Sequence, residues 1–147
     1  MVLSSSPAPP PLPALATLLL ILQPENANST HSNCSICLKT NRLSLQIPNP
    51  DTQFHLLSPA SLSSVPDYQF GTKSQHYHFC DKCGIHVLAY GSYVWEGKEV
   101  KTFSVNAVTL DPDQGVDLRA FKVGYWDGKE ENWGAGMGEK PYPGGNF

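Results

Sequence analysis

Every cysteine in this chain belongs to a Cys-x-x-Cys pair: Cys34-Ser-Ile-Cys37 and Cys80-Asp-Lys-Cys83. Two residues between the thiols let one tight turn aim both sulfurs at a single point, where backbone N–H groups support thiolate charge. Zinc suits such pairs, because it takes four tetrahedral ligands, about 2.3 Å away when they are sulfur, and has no redox chemistry of its own. Gly84 follows the second pair directly and supplies the positive φ that a metal knuckle uses. The spacing therefore assigns Cys34, Cys37, Cys80 and Cys83 as zinc ligands. A disulfide inside C-x-x-C is too short to be an ordinary structural bridge. A thioredoxin-type pair needs a helix after its motif, and Ile85 onward reads as a strand. Metal-bound thiolates imply a reducing, cytoplasmic setting.

The histidines add little by the same reasoning. Strand alternation puts His76, His78 and Cys80 on one face, with Tyr77 and Phe79 on the other. His78 reads as a half-exposed strand residue beside Cys80 rather than as a ligand, since knuckles of this kind rarely need one. His31, three positions before Cys34, is treated alike, and His55 and His86 suggest no chemistry.

Residues 1–30 differ in kind from the rest. They hold six prolines, no Lys or Arg, and an apolar run of nine residues from Ala14 to Leu22. That run is far below the ~20 residues of a membrane-spanning helix, and no basic residue precedes it as a signal peptide requires. The expectation is a disordered or poorly docked leader. Beyond it, Leu43, Leu45 and Ile47 alternate with polar residues as in a half-buried strand. Phe54–Leu57, Tyr68–Phe70, Gln75–Phe79, Ile85–Tyr90, Lys101–Val108 and Leu118–Trp126 follow at short intervals, with a hairpin expected across Gly71-Thr-Lys-Ser74. These features predict a mainly β domain over 31–135 and a Gly-rich, irregular tail over 136–147.

Net charge is −3 and the pI is near 5.9, which argues against nucleic acid as a partner, because phosphate binding needs clustered Lys and Arg. Gly71–Ser74 lacks the upstream glycines of a phosphate loop. Asp111–Asp117 resembles a calcium loop but has Lys122 where the twelfth-position Glu belongs, so it reads as a turn.

Taken together, Asn33-Cys-Ser-Ile-Cys37, Phe79-Cys-Asp-Lys-Cys-Gly84, Ser104-Val-Asn-Ala107, Asp127-Gly128 and Asn132-Trp133 resemble the glutathione-dependent formaldehyde-activating enzyme family, which includes centromere protein V. The resemblance runs from about residue 31 to 135. It implies coiled, mainly antiparallel β-sheets stapled by zinc, and a carbon–sulfur lyase reaction adding glutathione to formaldehyde. One metal site of that family pairs an N-terminal Cys-x-Cys-Gly with a later C-x-x-C, matched here by Cys80 and Cys83. The other, considered catalytic, uses Cys-x-Cys-x-x-Cys, whose last two positions match Cys34 and Cys37. No general base is assigned.

Two departures stand out. Ser32 occupies the first position of the catalytic-type set, and a hydroxyl is a poorer zinc ligand than a thiolate. Residues 1–30 contain no cysteine, so the first strand's pair is missing and the expectation is an N-terminally incomplete, truncated or mis-started member. Structural zinc contributes on the order of 10 kcal/mol to small domains, so two half-sites would leave the fold marginal. Spacing alone equally permits all four thiols on one ion. A non-catalytic zinc β-module used for protein association is the alternative to the lyase.

Overall fold

The computed structural model describes residues 17–20, 28–110 and 117–145. Along the chain run β1 (Thr17–Leu20), β2 (Asn28–Ser32), α1 (Ser35–Lys39), β3 (Ser44–Gln46), α2 (Pro50–Gln53) and β4 (Phe54–Ser58). They are followed by β5 (Asp67–Tyr68), β6 (Gln75–Phe79), β7 (His86–Trp95), β8 (Lys98–Asn106) and β9 (Lys122–Trp126). The protein is mainly β. Seven strands form one sheet in the order β5-β6-β7-β8-β3-β2-β9, and β1 pairs with β4 in a separate two-stranded ribbon.

Among the described residues, the antiparallel expectation holds for every strand pair but one. β2 and β9 run parallel, from Asn28 opposite Lys122 to Ser32 opposite Trp126, so the sheet is mixed. The strand carrying this pairing starts at Asn28, ahead of the boundary that composition suggested, and Thr17–Leu20 is also extended, within the segment read as a leader. The remainder of that leader, and most of the Asp111–Asp117 turn, lie outside the described residues.

Local chemistry explains the connections. Glu96 and Gly97 join β7 to β8 with φ of 49° and 75°, the two left-handed residues that match a hairpin's twist. α2 begins on Pro50, and the side-chain carbonyl of Gln53 accepts the Asn49 N–H at 2.9 Å, so the Pro48–Asp51 turn becomes one helical turn. The core is small: Leu43, Leu45, Ile47, Val87, Leu88, Val105 and Ala107, flanked by Phe54, Phe103, Tyr90 and Val123. Each buried Leu, Ile or Val among them contributes about 1.5–3 kcal/mol.

β8 departs from simple alternation. Ser104, Val105 and Asn106 are all buried, because the polar pair is hydrogen-bonded inside rather than turned to water. Asn106 accepts the Leu43 N–H on Oδ1 at 3.1 Å and donates from Nδ2 to the His86 carbonyl at 2.9 Å, tying β8 to both neighbours. The Gly-rich tail is pinned to the sheet at one point. Tyr125 and Gly138 exchange backbone hydrogen bonds of 2.9 and 2.8 Å, which covers the exposed edge of β9.

Candidate metal-binding sites

The first thiol pair sits where β2 turns into α1. Cys34 is extended and caps the helix, and Cys37 lies one turn on. The expected tight turn is therefore a short helix, closed by the Leu38 N–H on the Cys34 carbonyl at 2.9 Å. Ser32 Oγ accepts the Cys34 N–H at 3.2 Å. The two thiols hydrogen-bond to each other, and this bond, helped by the Ser32 hydroxyl and the N–H groups of Cys37 and Ile36, lowers Cys34 to about 5. Cys37 moves the opposite way, pushed up by the same bond and by burial. These hydrogen bonds favour the thiolate at Cys34 and the thiol at Cys37.

A clamp holds this corner. Asn33 donates to Asp127 Oδ1 at 2.9 Å and accepts the Lys129 N–H at 2.8 Å, so the Asp127–Lys129 loop is bound to the residue between Ser32 and Cys34. Between them lies Gly128: a Cβ there would stand 2.7 Å from Trp133 Cη2 and 2.9 Å from Cys34 Cβ. Trp133 in turn packs on Trp126 with ring centroids 5.9 Å apart.

Behind the thiols is a buried polar layer that sequence reasoning did not anticipate. Arg42 is 8% exposed; its Nη2 donates to Ser104 Oγ, and its guanidinium lies 5.9 Å from the centre of the Tyr77 ring. The charge on Arg42 opposes the upward push on Cys37. His86 is buried with both ring nitrogens unpartnered, and burial, then Arg42, then His78 hold its imidazole down to about 4. His31 is engaged elsewhere, with Nδ1 3.0 Å from the Arg42 carbonyl.

The second pair lies in the tight turn between β6 and β7. Cys80 donates its N–H to the Ile85 carbonyl at 2.9 Å, Gly84 donates to the Cys80 carbonyl at 2.8 Å, and Gly84 has φ of 72°. The N–H groups of Cys83 and Lys82 point toward the Cys80 sulfur and lower its pKa. Cys80 is buried beside an open groove of about 240 Å³ walled by Pro59, Val65, Pro66 and Phe79, and Cys83 is exposed. All four cysteines are free thiols.

Each pair brings two free thiols close in the chain, so each could give a metal ion two sulfur ligands, while Ser32 Oγ is taken up by the Cys34 N–H. The four do not gather around one point. Among the described residues, three or more His, Cys, Asp or Glu ligand atoms come together at one place, Asp67, His76 and His78. Contrary to expectation, His78 is buried at 4% exposure, and a register shift between His78 and Phe79 separates it from the alternation that linked it to Cys80.

No protein-family model and no curated protein matches the chain. A solved structure of a Rhodobacter sphaeroides protein is similar to it at 22% identity with a TM-score of 0.49, covering 69% of this chain and 83% of that one. Among the described residues, no helix is long and apolar enough to cross a membrane.

Proposed function

We propose that the chain is a zinc-binding β protein of carbon–sulfur lyase type, acting in the cytoplasm on a small thiol such as glutathione and its adduct with formaldehyde. The observation that carries this reading is the convergence of Ser32, Cys34 and Cys37 at the end of β2, with Cys34 already acidic. Zinc held by Cys34 and Cys37 would supply a Lewis acid that makes a substrate thiol nucleophilic near neutral pH. In the reaction the thiol sulfur bonds to the carbonyl carbon, and the thiol proton ends on the carbonyl oxygen. For their part, Ser32 orients Cys34, Asn33 holds the corner to the Asp127–Lys129 loop, and Arg42 supplies a buried positive charge behind Cys37. Cys80 and Cys83 take the structural role, with their knuckle facing the groove beside Pro59 and Val65.

A non-catalytic zinc module for protein association is the second reading, and Ser32 favours it, since an alcohol stands where a third thiolate would complete the set. Zinc per chain by plasma mass spectrometry, together with NMR exchange between formaldehyde and its glutathione adduct, separates the two. The lyase reading expects the wild-type chain to accelerate exchange, and Cys34→Ser and Cys37→Ser to lose both zinc and that acceleration. A folded, zinc-loaded chain that leaves the exchange rate at its uncatalysed value overturns it in favour of the second.

A further inference from the structure

Asp67, His76 and His78 come together because of strand register. β6 alternation places His76 and His78 on one face, and Asp67 on β5 is the cross-strand partner of His78. One carboxylate oxygen and one nitrogen from each imidazole lie within 4.8 Å of one another. We propose that these three side chains hold a divalent transition-metal ion of their own, separate from both thiol pairs.

The state of His78 points to a ligand. Its Nδ1 is 3.1 Å from the Val65 carbonyl, and a carbonyl can only accept, so the proton is on Nδ1 and Nε2 carries the lone pair. That Nε2 is buried with no hydrogen-bond partner. A backbone carbonyl on one ring nitrogen, with the other left as a free donor, is the arrangement that orients metal-binding histidines. The ring planes are set as well: Tyr90 stacks on His76 at 4.5 Å and on His78 at 5.5 Å, both within 16° of parallel.

His76 and Asp67 complete the set from the solvent side. His76 Nδ1 is 2.7 Å from Asp67 Oδ2, with side chains 31% and 30% exposed. A cation would take the place of the proton in that contact. Two imidazoles and one carboxylate make three ligands, a set that suits zinc or iron(II) and keeps a coordination position open. The charges sum to +1 with a divalent ion bound, so the open position, facing water, favours water or a small anion.

Cobalt(II) titration of the untagged full chain tests this, because thiolate-bound cobalt has an intense sulfur-to-metal charge-transfer band and cobalt on nitrogen and oxygen has ligand-field bands alone. The expected result is a ligand-field phase that zinc displaces. Asp67→Ala and His76→Ala, both at partly exposed positions, should weaken that phase at least about tenfold and leave any charge-transfer phase intact. Loss of the charge-transfer phase alone would sink the thiol assignment and leave this site standing. Cobalt binding identical in wild type and both variants, or binding accompanied throughout by charge transfer, would overturn it.

Discussion

Asn33 and Asp127, 94 positions apart in the chain, are joined by a 2.9 Å hydrogen bond from amide to carboxylate. The same amide oxygen accepts the Lys129 N–H, so a single side chain, 6% exposed, fixes a loop against the first thiol pair. Asn33→Ala should cost about 1–3 kcal/mol, because it removes two part-buried hydrogen bonds, one of them to a charged carboxylate. Urea unfolding measures the loss, and the zinc held at Cys34 and Cys37 should fall with it. An unchanged urea midpoint would show that water replaces the clamp.

Gly128 is a steric requirement. A methyl group there meets Trp133, Ser32 and Cys34 at once. Gly128→Ala should destabilise by about 1–3 kcal/mol through overpacking, read as a lower Tm. Gly134→Ala is the control, since its nearest new contact would be Trp95 at an ordinary 3.7 Å, and it should leave Tm nearly unchanged.

Asn106 binds two backbone groups, the Leu43 N–H and the His86 carbonyl. Asn106→Ala should cost about 1–3 kcal/mol for each group orphaned. Asn106→Leu, which restores volume without hydrogen bonds, should fare little better. Amide exchange at Leu43 should accelerate in both; a stable Leu variant would place the role in packing instead.

His86 predicts a pH profile. Its imidazole is held down to about 4, against an ordinary 6.5, by burial first and then by Arg42 and His78. Between those values the unfolded chain binds a proton that the folded chain refuses. Stability is therefore complete above about pH 6.5 and declines as pH falls toward 4, by at most about 3 kcal/mol. His86→Leu should flatten this part of the curve in urea titrations from pH 4 to 7. A slope that survives the substitution would assign it to other groups.

Leu43, Leu45 and Ile47 were legible because one face of their strand is apolar and the other polar. Ser104 and Asn106 were not, since a period of two cannot tell a polar residue in water from one buried and paired. Ser35–Lys39 carries no helix signature; Ser35 and Ile36 are weak formers, and five residues are helical only with tertiary support. The Cys pairs announced themselves by spacing. Asp67, by contrast, meets His76 and His78 through a cross-strand register across the Gln69–Ser74 loop, and Arg42 meets Ser104 and Tyr77 through packing, neither of which a linear pattern records.

The parallel seam between β2 and β9 sets the order in which this protein can be finished. During synthesis, the segment bearing Cys34 and Cys37 leaves the ribosome long before Trp126, which pairs with Ser32, and Gly128, which packs beside Cys34. Until β9 and the Asp127–Lys129 loop emerge, that segment has only its local partners, such as Ser32, and lacks the strand and loop that hold it in place.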